Sequence, residues 1–557
     1  MKQKILFALV VCLLSQIVVA QNSIESFWGS TDSRYVQNEK PKDVSGSVLE
    51  LTAWRGERVN AQFVVWNGGE SELEARFTLS ALEEKGNQII SSDHLSAGYV
   101  ETVLTDEFSG CGTHKIDKYG THTVADMIDN KASRVFAPAQ NRGGWMTIQI
   151  PQEARAGIYM GSVVVESKDG TAQALKYSVK VLDRILPSPD QWKFHLDFWQ
   201  NPYAIARVHQ VDLWSEEHFE AMRPYMQMLA SAGQKVITTS LIDKPWNGQT
   251  LDPFGSMITW IKKADGQWMY DFTIFDMWVE FMMDCGITRE IACYSMIPWN
   301  LSFQYFDQAT SSNKYIKSAP GEELYNEHWG NMLEVFAKHL KEKGWFELTC
   351  IAMDERALDQ MQKGIRLIHE RAPGLKISLA GNYHPEIEKD LYDYCVDEQS
   401  KEQFLQSVIE RRRAEGKKTT YYTCCSTHRP NTFTFSAPAE AEFLGWYAIR
   451  KGLDGYLRWA YNSWTADPVS DSRFTAWSGG DTYIVYPGAR SSLRWERLIE
   501  GIQAFEKYHI LREMAVRTNN KSTLSSLDAI VELIDPKNLE AGTDKMISKA
   551  KKKLNQL

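Results

Sequence analysis

The sequence lacks the motifs that usually bind zinc, because neither C-x-x-C nor H-E-x-x-H occurs in it. Of its eight cysteines, Cys12 lies in the N-terminal apolar stretch, which leaves an odd number at irregular spacing. That pattern does not predict a disulfide framework. We interpret the adjacent Cys424 and Cys425 as small apolar residues of a buried strand, with a reactive pair as the alternative. The sequence therefore predicts no metal site.

An excess of positive charge is also missing. Lys and Arg total 62 against 71 Asp and Glu, for a net charge of -9. Proteins that bind phosphate backbones carry clustered basic residues on one face, so nucleic acid is excluded as a partner. The one basic run, "KAKKKLNQL", is interpreted as a solvated helix end.

Long apolar runs are confined to the first twenty residues, "MKQKILFALVVCLLSQIVVA". A lysine-bearing start, an apolar stretch and small residues predict a secretory signal peptide over residues 1–20 that is cleaved near Gln21. Lipid attachment at Cys12 is the minor alternative, because "LVV" places no small residue before it. No later run reaches the roughly 18 apolar residues of a membrane span. We expect a protein exported to the periplasm or the extracellular space.

The chain is long enough for two or more domains. Residues 23–187 show short alternating strands such as "VNAQFVVWN" and "GSVVVES", separated by turn formers such as "NGGES". This spacing predicts an N-terminal antiparallel β-sandwich. The two prolines of "LPSPDQ" then mark a domain junction.

Strands alternate with helices over residues 190–515, which predicts a (β/α)8 TIM barrel. The eight predicted strands are "KFHLDFW", "KVITTSLI", "EIACYSMIP", "LTCIAMDE", "KISLAGNYH", "DYCVDE", "TTYYTCCS" and "GYLRWAYNSW". An extra strand, "DTYIVYPG", and a long amphipathic helix follow the eighth strand. Residues 516–557 are predicted to form a helical appendage.

The fourth predicted strand ends on two neighbouring carboxylates, Asp354 and Glu355, in "FELTCIAMDERALDQM". Active sites of such barrels lie at the C-terminal ends of the strands, so this pair is the predicted catalytic centre. The alternative is that the two acids only begin a loop and cap the next helix.

Aromatic and polar residues gather at the other strand ends, and the content of 19 Trp is high. Sugars stack their CH faces on aromatic rings and bind polar neighbours through hydroxyls, so the set predicts a sugar-binding cleft. Its members are Asp197, Trp199, Trp299, Asn300, Asn382, Tyr383, His384, Tyr422, Trp459, Tyr461, Asn462 and Trp464. Each one alone could equally be packing.

Adjacent carboxylates favour one carbohydrate mechanism. Conventional glycosidases place two carboxylates about 5–10 Å apart across the scissile bond, whereas neighbours on one strand point in divergent directions. Such neighbours suit a mechanism in which the sugar's 2-acetamido group is the nucleophile. Glu355 would be the general acid and base, and Asp354 would orient the acetamido group. Because Glu355 must be neutral before it donates, we expect a bell-shaped pH profile on the mildly acidic side.

Several motifs resemble those of glycoside hydrolase family 123. They are "LTAWRGERVNAQFVVWN", "PQEARAGIYMGSVVV", the "MDE" strand end, "GYLRWAYNSW", "GGDTYIVYPG" and "SLRWERLIEGI". The resemblance implies an exo-acting, retaining β-N-acetylgalactosaminidase without cofactor, whose partners are β-linked N-acetylgalactosamine glycans. It also implies that Asp354 and Glu355 are the catalytic dyad. One departure is "GIQAFEKY", where relatives read like "GIEDYEY"; we expect it to affect packing or a surface charge.

Other roles are assigned by chemistry. Tyr383 and Tyr422 are candidate donors to the acetamido carbonyl oxygen, and Trp459 is the candidate floor under the sugar ring. Two further functions stay open. One is a secreted glycan-binding protein without turnover, and the other is a retaining glycosidase of another β-linked sugar that uses Asp397 and Glu398 of the sixth strand.

Overall fold

A computed structural model describes residues 24–36, 38–85, 88–168, 170–398, 406–539 and 542–557. The predicted signal peptide, residues 1–20, lies outside the described residues. Within the described ranges, no helix has the length and apolarity needed to cross a membrane.

The N-terminal domain is the predicted sandwich of two sheets. The first sheet contains, in spatial order, Ile24–Gly29, Arg58–Asn67, Gln140–Gln149, Leu95–Asp106 and Thr121–Asp129. The second contains Leu49–Arg55, Ala172–Ile185, Gly157–Ser167, Leu73–Leu79 and Ser133–Phe136, with the short strands Leu82–Glu84 and Ile89–Ile90 at its side. All neighbours are antiparallel except Leu49–Arg55 and Ala172–Ile185, which pair in parallel.

Aromatic rings fill the space between the two sheets. Phe63, Phe77 and Phe136 surround Tyr99, with edge-to-face centroid distances of 5.2–6.2 Å. Phe63 and Phe77 come from strands that were predicted from their alternation, whereas Tyr99 and Phe136 come from strands that were not. The strands Leu95–Asp106 and Thr121–Asp129 were not predicted.

The second domain contains the predicted barrel. Seven of its eight strands fall within the predicted segments, and the seventh strand begins at Lys418, one residue before its predicted segment. Barrel strands 1 to 8 are His195–Phe198, Val236–Ser240, Glu290–Tyr294, Thr349–Met353, Lys376–Gly381, Asp393–Asp397, Lys418–Tyr422 and Gly455–Arg458. Strands 2 to 8 pair in parallel in chain order, and strand 8 pairs in parallel with strand 1, whereas strands 1 and 2 share no ladder. The sheet is nearly closed.

Two glutamine side chains complete the seam between strands 1 and 2. Gln234 accepts from the Phe198 backbone N–H at 2.9 Å and donates to the Val236 carbonyl at 2.7 Å. Gln200 accepts from the Thr238 N–H at 2.9 Å. These side chains satisfy backbone groups that a continuous ladder would otherwise pair.

Helices cover the outside of the barrel. They are Pro202–His209, Glu216–Ala230, Thr273–Asp284, Glu323–Lys343, Leu358–Arg371, Gln406–Ala414, Pro438–Lys451 and Leu493–Arg517. Strands 5 and 6 are joined by the 3-10 turn Glu388–Asp390. The C-terminal region contains Lys521–Val531 and Thr543–Leu554.

A small sheet that was not predicted grows from the connections after strands 2 and 3. Its strands are Thr259–Lys262, Trp268–Asp271, Ser302–Asp307 and Ser312–Lys317. The loop after Tyr294, which carries Trp299, leads into this sheet. The sheet therefore positions one wall of the cleft described below.

The extra strand predicted at "DTYIVYPG" is wrong, because the segment forms only the isolated bridges of Tyr483 and Tyr486. The guanidinium of Arg494 donates to the carbonyls of Gly480 and Tyr483 at 3.2 and 2.9 Å. Carbonyls that are bound by a side chain do not need a sheet partner.

The helix Leu493–Arg517 is buried against both domains. Arg494 forms a bidentate pair with Asp126 of the sandwich, with Nη2 2.8 Å from Oδ2. Gln503 both accepts from and donates to the backbone of Arg58, at 2.8 and 2.7 Å. The "GIQAFEKY" departure thus lies in the packing between the domains. Packing was one of the two expectations for it, the other being a surface charge.

Candidate active site

A cleft of about 370 Å³ opens at the C-terminal ends of the barrel strands. Inward positions alternate along each strand, so the last inward residues of several strands meet there. Its lining residues include Trp199, Trp246, Gln249, Trp299, Asp354, Glu355, Asn382, Asp397, Tyr422, Cys425, Trp459 and Trp477, together with Cys111 of the sandwich domain.

The two adjacent carboxylates face different partners in this cleft. Asp354, directly after strand 4, accepts from the Trp299 indole N–H at 3.1 Å and from the backbone N–H of Glu355 at 2.9 Å. Glu355 accepts a short hydrogen bond from the Tyr422 hydroxyl at the end of strand 7. Asp354 and Trp299 therefore lie on one side of the pair, and Tyr422 lies on the other.

Burial and neighbouring charges shift the pKa values on both sides of the carboxylate pair. Burial and the nearby charge of Glu355 raise the pKa of Asp354 to about 6. Burial and the Glu355 carboxylate hold the pKa of the Tyr422 phenol far above its usual range, so Tyr422 is a hydrogen-bond donor throughout the pH range of interest. Arg356 stacks on the Trp299 ring, 4.8 Å from its centroid, and so supports the group that donates to Asp354.

Aromatic side chains build the walls. Trp199 stacks on Trp246 with centroids 4.7 Å apart, and both rings contact Tyr294. Trp459 packs edge-on against Trp477 at 5.6 Å and donates to Asp481 at 3.2 Å. Asp481 is itself held by the buried Arg458, so the Trp459 ring has a fixed orientation.

Seven of the ten predicted site residues meet in the cleft: Asp354, Glu355, Trp199, Trp299, Asn382, Tyr422 and Trp459. Tyr383 is half-buried and packs beside Tyr394 at 6.2 Å instead. Of the wider set named at the strand ends, Asp197 and Asn462 are buried as well.

Tyr461 and Trp464 require a correction, since both are fully buried in the main core. Tyr461 donates to the Tyr225 carbonyl at 3.1 Å, and Trp464 donates to the Val485 carbonyl at 2.8 Å. Strand 8 ends at Arg458, so the chain has left the cleft before it reaches them.

Asp397, which was named with Glu398 as the alternative carboxylate pair, ends strand 6 and lines the cleft. Sequence reasoning missed other lining residues. Trp246, Gln249 and Trp477 come from long connections without periodicity, so no sequence signal pointed to them.

Cys111 and Cys425 form a disulfide across 314 residues, with Cα atoms 5.1 Å apart. The interpretation of Cys425 as part of a buried strand is wrong, because strand 7 ends at Tyr422. Cys424 has no disulfide partner and is half-buried, with its sulfur 3.1 Å from the Ser426 hydroxyl. A link between two domains leaves no spacing motif in the sequence.

One group of described residues could hold a metal ion: His195, Glu290 and Asp393. They begin strands 1, 3 and 6, at the opposite end of the barrel from the cleft. His195 Nε2 lies 3.0 Å from Asp393 Oδ2 and 3.9 Å from Glu290 Oε2, which is the geometry of a buried ion pair.

A parallel barrel with a carboxylate pair in an aromatic cleft defines a class, the TIM-barrel glycoside hydrolases. The family model of the glycoside hydrolase 123 catalytic domain matches residues 199–511, and that of the glycoside hydrolase 123 N-terminal domain matches residues 28–167. The chain belongs to glycoside hydrolase family 123.

Comparison with solved structures gives the following matches. A family 123 glycoside hydrolase from Clostridium perfringens, studied for glycolipid glycan hydrolysis, is 28% identical and has a TM-score of 0.86, covering 96% of this chain and 97% of its own. A Bacteroides ovatus GH5 xyloglucanase is 9% identical with a TM-score of 0.29, covering 84% of this chain and 100% of its own. No curated protein matches the chain.

Proposed function

We propose that the protein is an exo-acting, retaining β-N-acetylgalactosaminidase that uses the substrate's own 2-acetamido group as nucleophile. The observation that carries the proposal is the divergence of two adjacent carboxyl groups, Asp354 toward Trp299 and Glu355 toward Tyr422. Groups placed in this way can serve two atoms of one sugar, the amide nitrogen and the glycosidic oxygen. They are poorly placed to flank a single bond.

In the first step, Glu355 gives its proton to the glycosidic oxygen while the bond from that oxygen to C1 breaks. The acetamido oxygen forms the new bond to C1 and closes an oxazolinium ring. Asp354 accepts the acetamido N–H, which aligns the carbonyl with C1 and stabilises the positive charge that develops. Trp299 and the Glu355 backbone hold the Asp354 carboxylate in place.

In the second step, Glu355 takes a proton from water, whose oxygen attacks C1 from the side that the leaving group vacated. The bond from C1 to the acetamido oxygen breaks and the amide is restored. Two inversions at C1 give net retention. Tyr422 is placed to donate to the acetamido oxygen or to Glu355 as charge moves between them.

The aromatic walls support a sugar substrate. Trp459, held by Asp481, offers a flat ring to a pyranose face, and Trp199 with Trp246 offers a second apolar surface. The related Clostridium perfringens enzyme was studied for glycolipid glycan hydrolysis, so β-linked N-acetylgalactosamine glycans of this kind are the substrates that we propose.

Export to the periplasm or extracellular space forms part of the proposal. The disulfide between Cys111 and Cys425 supports it, since such bonds form and persist in oxidising compartments.

The test is hydrolysis of paired aryl 2-acetamido-2-deoxy-β-galactoside and β-glucoside substrates. We expect turnover of the galactoside with retention at C1 by NMR, and losses in kcat of about 10²–10⁴-fold for Asp354→Asn and Glu355→Gln. Asp359→Asn, an exposed acid at the start of the next helix, is the matched control and should change kcat less than about twofold.

Other outcomes would select the alternatives. Absence of turnover by folded wild type, with retained glycan binding, would indicate a glycan-binding protein. Activity that falls with Asp397→Asn but survives Asp354→Asn would indicate a retaining glycosidase of another sugar, because Asp397 lines the same cleft. A thiazoline mimic of the oxazolinium ion should inhibit only the proposed mechanism.

A further inference from the structure

The small sheet that follows strands 2 and 3 has one covered face and one open face. On the covered face, Trp260 stacks on His328 with ring centroids 4.5 Å apart. Phe303 meets Trp329 edge-on at 5.6 Å, and both partners belong to the helix Glu323–Lys343. Side chains alternate along a strand, so the residues between these form the opposite, outer face. The outer face consists of Thr259, Ile261, Met269, Asp271, Ser302, Gln304, Phe306, Asn313, Tyr315 and Lys317.

Two aromatic rings and two amides alternate on this outer face. The register of the hairpin sets Tyr315 opposite Gln304 and Asn313 opposite Phe306. The rings therefore lie on one diagonal and the amides on the other. The Tyr315 hydroxyl donates to Gln304 Oε1 at 3.3 Å, which holds the ring beside the amide. We call these four residues the aromatic–amide platform.

The platform is open to solvent and continues into an apolar row. Tyr315 is 59% exposed and Phe306 is 37% exposed. Ile261 lies opposite Phe306 on the next strand, and Met269, which is also exposed, lies opposite Ile261. Large apolar side chains gathered on one open face are typical of an interaction surface.

The charge of the outer face indicates what kind of partner it fits. Its charged residues are Asp271 and Lys317, which end the two edge strands and lie at corners of the sheet. Phosphate backbones and anionic lipid surfaces are bound by clustered basic residues, which this face does not offer. The platform itself is uncharged, so an uncharged partner suits it best.

The chemistry of the platform fits an oligosaccharide. Aromatic rings stack on the CH faces of pyranoses, and amides form hydrogen bonds with sugar hydroxyls. Diagonal neighbours on adjacent strands are about 7–8 Å apart, so Phe306 and Tyr315 can contact different sugar residues of one chain.

The platform lies outside the cleft but on the same end of the barrel. The strand that carries Phe306 begins at Ser302, three residues after Trp299, which donates to Asp354. Of the residues that the structure describes, the cleft lining includes no member of the platform. A glycan on the platform would therefore leave the cleft free.

We propose that the aromatic–amide platform is a second glycan-binding site, which holds an uncharged oligosaccharide by ring stacking and catalyses nothing. It goes beyond the proposed function, because it contacts sugars that are not bound in the cleft and requires no turnover. On a surface that carries many glycans, a second attachment raises the effective concentration of the cleft near its substrates.

The experiment measures affinity for immobilised mucin from which sialic acid and sulfate have been removed, which leaves dense uncharged oligosaccharides. All proteins carry Glu355→Gln, so that the glycans stay intact during the measurement. We expect Phe306→Ala/Tyr315→Ala to lower the affinity at least about tenfold, since burial of one aromatic ring contributes roughly that factor. Tyr315→Phe keeps the ring and should bind within about twofold of the parent protein.

Two controls separate the platform from folding and from the cleft. Ile158→Ala replaces a side chain that is 57% exposed on the sandwich and should leave the affinity within about twofold. With Glu355 restored, Phe306→Ala/Tyr315→Ala should keep kcat/KM for the aryl galactosaminide within about twofold of wild type, because neither residue lines the cleft.

Several results would overturn the platform as a glycan site. They are equal affinity of the double variant and Ile158→Ala, or no binding of the parent protein to the mucin. A dimer in sedimentation that the double variant loses would show that a second copy covers the face. Binding to phosphatidylcholine vesicles that the double variant loses would identify a lipid surface instead. Failure of the proposed function would appear separately, as absence of aryl galactosaminide hydrolysis by wild type.

Discussion

Asp354 has a hydrogen-bond donor on each of its two carboxylate oxygens, yet its pKa is raised to about 6, because burial and Glu355 outweigh those donors. An acetamido N–H needs an ionised acceptor. Under the proposed mechanism, we therefore expect protonation of Asp354 to limit activity on the acidic side.

We expect kcat/KM of wild type to fall as the pH drops below about 6, when Asp354 takes up a proton. In Trp299→Phe the carboxylate loses a donor that favours its charged form, so this acidic limb should move to higher pH. The pH dependence of kcat/KM on the aryl substrate measures both. A limb that stays in place in Trp299→Phe would show that another group titrates there. The bell-shaped pH profile on the mildly acidic side, which was predicted from Glu355, stays a prediction.

The position of single residues in the cleft was predictable where a strand placed them. Asp354, Tyr422 and Trp459 were found because inward residues at strand ends share one face. Tyr461 and Trp464 were misplaced because aromatic residues suit a core as well as a sugar cleft, and sequence does not distinguish the two environments.

Among the secondary-structure elements, the seam between strands 1 and 2 depends on side chains in place of a full ladder. Gln234 binds Phe198 and Val236 through three hydrogen bonds at 2.7–3.1 Å. Gln234→Ala leaves the buried Phe198 N–H without its acceptor, at about 1–3 kcal/mol, while the carbonyls of Phe198 and Val236 still accept from the Gln200 amide.

We therefore expect Gln234→Ala to lower the free energy of unfolding by about 1–3 kcal/mol, measured by urea denaturation with an unchanged m-value. Gln267→Ala, in an exposed turn, is the control and should stay within about 0.5 kcal/mol of wild type. Equal stability of the two variants would show that the seam contributes nothing.

The elements themselves were largely predictable. Barrel strands were found because alternation with helices is visible in one sequence, and sandwich strands because one face is apolar. The strand at "DTYIVYPG" was wrongly predicted because its apolar residues look like a strand, while the guanidinium of Arg494 binds the Tyr483 carbonyl in that segment.

In the whole molecule, the two domains meet at a buried ion pair. Asp126 and Arg494 are at most 1% exposed. Removing one partner of such a pair leaves a buried charge uncompensated, which costs about 3–5 kcal/mol. We expect Asp126→Asn to lower the free energy of unfolding by that amount.

The matched control is Asp117→Asn, because Asp117 also pairs across the domains, with Arg473, but is 94% exposed. Exposed pairs contribute only about 0–1 kcal/mol. Chemical denaturation of both variants measures the difference, and a cost for Asp126→Asn as small as that of Asp117→Asn would contradict the expectation.

The buried group of His195, Glu290 and Asp393, at the end of the barrel opposite the cleft, makes the stability of the protein depend on pH. Burial alone would lower the pKa of His195, but Asp393, Glu290 and Asp197 outweigh it and raise that pKa to about 9. The folded protein then keeps a proton that the unfolded chain, with a usual value of about 6.5, has lost. Burial also raises the pKa of Glu290 to about 7 and that of Asp197 to about 8, which acts in the same direction from about pH 4 upward.

We expect the Tm to fall as the pH rises from about 6.5 to 9. The stabilisation by protonated His195 is complete below pH 6.5 and is lost as the pH rises through about 9. Asp393→Asn removes the carboxylate that raises this pKa most, so its Tm should depend less on pH over the same range. Calorimetry from pH 5 to 9 measures both proteins. An equal dependence of Tm on pH in the two proteins would contradict the assignment of this effect to His195 and Asp393.

The sequence by itself determined what is periodic and local: the alternation of a sandwich, the eight strands of the barrel, and the carboxylate pair that ends strand 4. These follow from side-chain direction along a strand, which depends only on neighbours in the chain. The tertiary structure alone decided contacts between distant segments. The Cys111–Cys425 disulfide, the Trp459–Trp477 wall and the Asp126–Arg494 pair each join segments that no local rule relates, because their proximity depends on how the domains and loops pack.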